Sequence, residues 1–203
     1  EWIEENIKSI KAQNYKNYKV ALVNDASTDN TAAIIERMIE GDDRFLLINK
    51  EENGGPLSST ATGINALNPK NEDVIIVLDG DDCFAIRGSL DIVNEAYKKN
   101  DCLMTYGSYV EYPDNVRGKF SCKIPRDVME NKAYRKSPWM TSHLRTFKYV
   151  LWKNIRTEDL LDSNGVLYPM AGDLAAMFPM LEMAEERVYF IENIIHVYNR
   201  ATN

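Results

Sequence analysis

The apolar positions of the chain follow two spacings, which predict helices and buried strands in alternation. Ile3, Ile7 and Ile10 recur at i, i+4 and i+7, the spacing of one helical face, in the opening segment EWIEENIKSIKAQ. Three short apolar runs without polar alternation follow, and such runs are typical of strands that are covered on both faces. They lie in YKVALV, RFLLINK and VIIVL. We therefore expect an α/β fold with a mostly parallel central sheet flanked by helices.

Local residues predict where the early helices begin and end. In ASTDNTAAIIERMIEG, Ser27, Thr28 and Asp29 are candidate N-caps and Gly41 is the expected stop. The segment NGGPLSST is predicted to be a loop before a short helix in ATGINAL. Since helical spacing opens the chain without a methionine, we expect a strand to precede residue 1.

The second half combines similar patterns with longer irregular stretches. A helix is expected from about Ser89 to Lys99 and a strand in CLMTYGSYVEY. Residues 113–134 show no clear period and are predicted to form a surface excursion, before the partly helical segment SPWMTSHLRTFKYVLWKNI. A helix in GDLAAMFPMLEMAEE, interrupted near Pro179, and two short strands in RVYFIE and IIHVYN complete the chain. Because no linker or repeat divides it, residues 1–203 are interpreted as one domain.

Composition narrows the classes of partner. With 203 residues, 44% hydrophobic and 27% charged, the chain is long enough for one sizeable core. A net charge of -7 and the lack of a basic cluster argue against nucleic acid as a partner. No apolar run is long enough to predict a membrane span. The widely spaced Cys83, Cys102 and Cys122 suggest reduced thiols, which favours a cytoplasmic location.

Acidic side chains follow two of the predicted strands. Asn24 and Asp25 come after the first, and Asp79, Asp81 and Asp82 come directly after the third, in VIIVLDGDDC. Ligands of parallel sheets gather at the carboxyl ends of strands, so we expect both acidic ends to face one crevice. Gly80 lets the backbone bend closely around a bound group.

Three interpretations of the aspartates stay open at this point. They cap a helix or a turn; they bind Mg²⁺ or Mn²⁺, which prefer carboxylate oxygen and supply positive charge for a diphosphate; or the first is the nucleophile of a phosphatase of the haloacid dehalogenase kind. The phosphatase interpretation is weakened by Cys83 and by the late position of the strand.

With NDASTDNT, NGG, a glycine ten residues after Asn53 and LDGDD in that order, the chain resembles the family 2 glycosyltransferases of the GT-A fold. The resemblance implies a nucleotide-sugar-binding half in 1–110 and an acceptor-side half with a small antiparallel region in 111–203. It also implies transfer of a sugar with inversion from a nucleotide sugar, with UDP-sugars favoured, to a hydroxyl of a glycan, protein or small-molecule acceptor. The implied cofactor is Mn²⁺ or Mg²⁺.

The resemblance further implies roles for individual residues. Asp25 would contact the base, Asp81 would hold the metal and diphosphate, and Asp82 would orient it. Thr60 and Ala61 depart from an Arg-Asn pair that the family often has in this loop. The implied set is Asp25, Asn53, Gly54, Gly55, Asp79, Asp82, His143 and Arg200 for substrate, Asp81, Asp79 and His196 for metal, and Asp173 for catalysis.

Asp173 is the candidate general base, because transfer to a hydroxyl needs a carboxylate to accept the proton. In the family this acid ends a Glu-Asp pair at the start of a late helix, and Gly172 stands here in place of the Glu. An N-cap role for Asp173 is the competing interpretation. A hydrogen-bonded structural role competes likewise for His143 and His196.

Two other functions stay open on the sequence. A sugar-phosphate nucleotidyltransferase also places metal-binding acids on an α/β domain. A non-catalytic module that binds a nucleotide sugar or glycan is compatible with the departures at Thr60 and Gly172.

Overall fold

The computed structural model describes residues 2–202 and contains seven α-helices and eight strands within that range. The first half consists of α1 Trp2–Lys11, β1 Val20–Asn24, α2 Thr31–Ile39, β2 Phe45–Asn49, α3 Gly55–Leu67, β3 Val74–Val77, β4 Cys83–Phe84 and α4 Ser89–Lys99. The second half consists of β5 Met104–Tyr112, β6 Val116–Arg117, α5 Arg126–Glu130, β7 Arg145–Lys148, α6 Tyr149–Lys153, α7 Gly172–Ala184 and β8 Val188–Asn199. Short 3-10 helices occupy Tyr134–Lys136 and Thr157–Leu160.

The strands form a separate parallel pair and a larger mixed sheet. β1 pairs with β2, while the larger sheet has the order β3-β7-β5-β8-β4, with β6 on β5. The α/β class is confirmed, but only β1–β2 and β5–β8 are parallel among the described strand pairs. The prediction of a mostly parallel sheet therefore needs correction. The reason is that β7 enters between β3 and β5 and runs antiparallel to both.

Several element boundaries differ from the predictions. The N-cap position of α2 is Asn30, although Asp29 Oδ1 accepts a hydrogen bond from Thr31 N at 3.0 Å. Gly41 follows the helix at φ +72°, which confirms the predicted stop. Helix α3 already begins at Gly55, within the predicted loop, because Pro56 suits a first helical turn.

The second half shows three further differences. β7 lies in the segment that was predicted to be partly helical. Helix α7 continues through Pro179 without interruption, and β8 is one strand of 12 residues rather than two short ones. A register shift opposite Gly107 and Ser108 accounts for the apparent break in the pattern of β8.

Two apolar clusters enclose the strands. One contains residues of α3, β5, β7 and α7: Leu57, Ile64, Met104, Tyr106, Phe147, Met180 and Leu181. The other contains residues of α1, α2, α4 and β8: Ile7, Ile10, Ile35, Leu90, Val93 and Ile195. Ile124 and Tyr134 are also buried, so the predicted surface excursion contributes to the core.

The described helices are all short compared with a bilayer. The longest, α3 and α7, have 13 residues each, and no helix in residues 2–202 is long and apolar enough to cross a membrane.

Candidate active site

The carboxyl ends of β1 and β3 open onto the same end of a large cleft, as their acidic residues predict. Its wall includes Asp25, Asn53 and Gly55 on the β1 side and Asp79 and Asp81 on the β3 side. We call this end of the cleft the mouth. Carboxylates from two separate stretches of sequence therefore face one space.

Asp25 is held from three directions on its side of the mouth. Its Oδ1 accepts hydrogen bonds from Lys50 Nζ at 2.5 Å and Gly54 N at 2.9 Å, and its Oδ2 accepts one from Gly55 N at 2.8 Å. Partial burial raises the pKa of Asp25, but the bonds from Lys50 and the two backbone N–H groups outweigh it and lower the pKa. The carboxylate is therefore ionised and fixed in place.

The NGG loop thus binds a side chain of the protein itself. Asn53 Nδ2 also donates to the carbonyl oxygen of Asp25, at 3.2 Å. Gly55 has φ +77°, which favours glycine, and a Cβ on Gly54 would lie 2.5 Å from Lys50 Nζ. Asn53, Gly54 and Gly55 accordingly position Asp25, and Asn53 and Gly55 also line the cleft. That they contact the substrate stays a prediction.

Arg145 forms ion pairs with both Asp79, at the mouth, and Asp173, the candidate base. It lies on β7 opposite Val77 of β3 and is only 6% exposed. Its Nη1 donates to Asp173 Oδ2 at 2.7 Å, and its Nη2 lies 3.6 Å from Asp79 Oδ2. Lost hydration raises the pKa of Asp79, and the guanidinium opposes that rise. A single buried cation thus connects the mouth to the candidate base.

Asp173 lies in the first turn of α7, and its side chain is 40% exposed. The neighbouring Gly172 packs against α3, and a Cβ at this position would lie 2.7 Å from Leu57 Cβ. The departure from the Glu-Asp pair therefore has a local cause, because α3 and α7 approach too closely for a larger residue.

The other two aspartates of LDGDD lie in different environments. Asp81 lines the mouth and accepts a hydrogen bond from the Thr202 hydroxyl. Asp82 is only 1% exposed, its Oδ2 lies 2.9 Å from His196 Nε2, and its Oδ1 accepts a bond from Asn199 N at 2.8 Å. Asp82 therefore supports the mouth from within the protein.

Both histidines are buried beside Asp82. His143 stacks on His196 with ring centroids 4.8 Å apart and an interplanar angle of 6°. Burial, together with the charge of Arg145 and the neighbouring His196, lowers the pKa of His143 far below its usual range. His143 is thus neutral in the folded protein, and neither ring lines the cleft.

Two groups of side chains are candidates for holding a divalent cation. Asp79 and Asp81 offer carboxylate oxygens at the mouth, which fit Mg²⁺ or Mn²⁺. Asp82, His143 and His196 place one ligand atom each within 4.8 Å of one another, and Nδ1 of each histidine has no hydrogen-bond partner among the described residues. The predicted set of Asp79, Asp81 and His196 is thus divided between the mouth and the interior.

One predicted site residue lies away from the cleft, and three residues contact the predicted acids in ways that the sequence did not predict. Arg200 forms an ion pair with Glu111 at 2.8 Å and does not line the cleft. The partnerships of Lys50, Arg145 and Thr202 with acids were not predicted. For Lys50 a signal existed, because it directly follows β2, the strand that pairs with the strand before Asp25.

Comparisons with known proteins identify a matching family model and several relatives. Residues 1–156 match the family model described as Glycosyl transferase family 2. The chain is 25% identical over 210 residues to glycosyltransferase GlyG of Streptococcus pneumoniae, covering 98% of this chain and 66% of GlyG. It is also 25% identical over 210 residues to the uncharacterized glycosyltransferase EpsJ of Bacillus subtilis, covering 100% of this chain and 58% of EpsJ. The chain thus spans less than two thirds of the length of these relatives.

Solved structures show the same GT-A fold. TarS of S. aureus has a TM-score of 0.72 at 17% identity, covering 98% of this chain and 34% of TarS. The mannosyltransferase PcManGT of Pyrobaculum calidifontis, solved with GDP-Man and Mn²⁺, has a TM-score of 0.60 at 20% identity, covering 100% of this chain and 53% of PcManGT. Since the family model covers well over half of the chain, the protein belongs to glycosyl transferase family 2.

Proposed function

We propose that this protein transfers a sugar from a nucleotide sugar to an acceptor hydroxyl, with inversion and with the help of a divalent cation. The observation that carries the proposal is Arg145, which pairs with Asp79 at the mouth and with Asp173 on α7. Transfer needs a donor site and a base within reach of each other, and these ion pairs of the buried Arg145 connect the residues suited to both.

The donor would lie in the mouth. Asp25, which Lys50 and the NGG loop hold in position, would accept a hydrogen bond from the nucleotide base. Asp79 and Asp81 would hold Mn²⁺ or Mg²⁺, which when bound neutralises the charge of the diphosphate. TarS has been solved with UDP and with UDP-GlcNAc, which supports a UDP-sugar as the donor.

Asp173 would act on the acceptor side. The acceptor oxygen forms a bond to the anomeric carbon while the bond from that carbon to the diphosphate oxygen breaks, so one displacement inverts the centre. Asp173 accepts the proton that the hydroxyl releases. Arg145 holds one oxygen of Asp173 and thereby orients the carboxylate.

The test is a screen of UDP-, GDP- and dTDP-sugars for hydrolysis with Mn²⁺, with Mg²⁺ and with chelator. We expect metal-dependent turnover with a UDP-sugar, and a loss of roughly 100-fold or more in Asp81→Asn and in Asp173→Asn. The matched control is Asp114→Asn, because Asp114 is exposed in a turn away from the cleft.

Wild-type turnover in both site variants would contradict the assignment. Metal-dependent binding of UDP without any turnover of a sugar nucleotide would instead indicate a non-catalytic binding module.

A further inference from the structure

Residues 116–126 carry four cations and no acid, in a chain whose net charge is negative. We call these residues the basic segment. No two of its cations are adjacent in sequence: Arg117, Lys119, Lys123 and Arg126. The rest of the chain has 20 basic and 31 acidic residues, which gives it a net charge of -11. The charge of the basic segment is thus opposite to that of the remaining chain.

The backbone of the basic segment is bound to the body of the protein. Gly118 N donates to the carbonyl oxygen of Tyr109 in β5 at 2.9 Å, and Cys122 N donates to that of Met140 at 3.1 Å. A Cβ on Gly118 would lie 2.0 Å from the Tyr109 ring, so the chain packs directly on β5 at this point. These contacts hold the segment in a defined position on the surface.

Three buried residues determine which side chains of the basic segment face outward. Gly118, Ser121 and Ile124 are buried, and the two positions between each of them are exposed. The exposed positions are Lys119, Phe120, Cys122 and Lys123. Phe120 is 46% exposed, and Val116 at the start of the segment is 59% exposed. The segment therefore presents apolar and basic side chains together.

Most cations of the basic segment have no carboxylate partner. Within the part of the chain that the structure describes, three of the four form no ion pair: Arg117, Lys119 and Lys123. The fourth, Arg126, pairs with Glu130 at 2.7 Å. Lys119 Nζ lies 5.3 Å from the centroid of the Phe120 ring, so a cation and an exposed aromatic ring are direct neighbours.

We propose that the basic segment binds the surface of a membrane that contains anionic phospholipids. Cations are attracted to such a surface, and apolar side chains beside them gain free energy by entering the headgroup region. The basic segment offers both kinds of side chain on one backbone. Acids on other faces of the protein oppose this contact only weakly, because charges are screened beyond about 8 Å at physiological ionic strength.

A single-stranded nucleic acid is the competing anionic partner. Its affinity depends on many cations along a groove and on aromatic rings that stack with successive bases. The basic segment has four cations and one exposed aromatic ring, and its other exposed apolar side chain, Val116, offers no stacking surface. These features favour the membrane surface.

The test measures binding of the 203-residue chain to sedimented vesicles of phosphatidylcholine, alone or with about 30% phosphatidylserine. One variant combines three changes in the basic segment: Arg117→Gln, Lys119→Gln and Lys123→Gln. The matched control removes one Arg and two Lys from other exposed positions: Lys8→Gln, Arg37→Gln and Lys70→Gln. Phe120→Ser is compared with Ile86→Ser, since Ile86 is 48% exposed. Circular dichroism confirms that each variant is folded.

We expect the parent to bind the anionic vesicles at least tenfold more tightly than the neutral ones, because each Lys or Arg near such a surface raises partitioning roughly fivefold. The triple variant in the basic segment should bind them roughly 100-fold more weakly, and Phe120→Ser roughly tenfold more weakly. Both controls should stay within about threefold of the parent.

Absence of parent binding to anionic vesicles, or equal binding by the parent and the triple variant, would overturn the proposal. Tighter binding of single-stranded RNA than of anionic vesicles would also overturn it, because nucleic acid would then be the partner. If the triple variant does not fold, Lys119→Gln alone decides, and parent-like binding by it contradicts the proposal. The measurement contains no nucleotide sugar, so its outcome is independent of the proposed glycosyl transfer.

Discussion

At the scale of single residues, the site depends on how its charges are paired. Ion pairs with Lys50 or Arg145 hold Asp25, Asp79 and Asp173, so each of these two cations contacts an acid that a ligand or the reaction would use. Lys50 forms an ion pair with Asp25, whereas Arg145 forms ion pairs with both Asp79 and Asp173. Arg145 is also buried, so its replacement leaves both acids without their cation.

We expect Arg145→Met to lower the turnover of the UDP-sugar roughly 100-fold, because Asp173 loses the bond that orients it. Arg145→Lys should retain an intermediate rate, since one ammonium cannot match the planar fork that reaches both acids. The measurement is steady-state turnover, with a thermal melt to confirm folding. Arg156→Met is the matched control, because Arg156 is 76% exposed and its ion pair with Asp159 lies at the surface. Parent-like turnover in Arg145→Met would exclude Arg145 as a positioning residue.

At the scale of elements, the position of the candidate base depends on how α7 packs against α3. The two helices meet where Gly172 precedes Asp173, and Leu57 leaves no space for a Cβ. Gly55, at the start of α3, likewise lies near the Pro169 carbonyl oxygen, 3.6 Å from an added Cβ. The helix that begins at the NGG loop therefore also sets the location of Asp173.

We expect Gly172→Ala to destabilise the protein by about 1–3 kcal/mol, because overpacking forces the two helices apart. Turnover should fall as well, since Asp173 moves with the first turn of α7. Urea unfolding measures the first effect and donor hydrolysis the second. In the control Gly88→Ala, nothing lies within 4 Å of the added Cβ, and a loss below about 1 kcal/mol is expected. Equal losses in the two variants would show that the contact with Leu57 does not restrict position 172.

At the scale of the whole molecule, contacts between residues that are distant in sequence connect the strands beside the site. Asp82 contacts His196 across 114 positions of sequence and thereby joins the end of β3 to β8. His143 stacks on the same ring from the segment that leads into β7. The burial of His143 makes the free energy of unfolding depend on pH, because unfolding exposes this side chain to water and lets it bind a proton.

The sign of the pH effect follows from the lowered pKa of His143. The unfolded chain binds this proton below about pH 6.5 and the folded protein does not, so stability is full above that pH and falls as the pH decreases. We expect His143→Gln to reduce the slope between pH 7.5 and 5.5 by up to about 1.4 kcal/mol per pH unit. Urea unfolding at intervals of half a pH unit measures it. Identical slopes in variant and parent would contradict a buried, neutral His143.

Much of this protein is determined locally, and the sequence alone was sufficient for that part. The apolar spacing of α1 and α4, the unalternating runs of β1 and β3 and the acids after each strand predicted the early elements and one shared crevice. Asp25, Asp79 and Asp81 do line it. These features depend on neighbours a few positions apart, which periodicity and strand ends reveal.

Only the tertiary structure decided the strand order and the partners of the charged residues. β7 lies between β3 and β5, and this insertion brings Arg145 beside Asp79, 66 positions away in sequence, and beside Asp173. The same long-range order buries Asp82 with both histidines. Such contacts depend on which distant segments become neighbours in the sheet. The local pattern of hydrophobic and polar residues predicts individual strands but not their order.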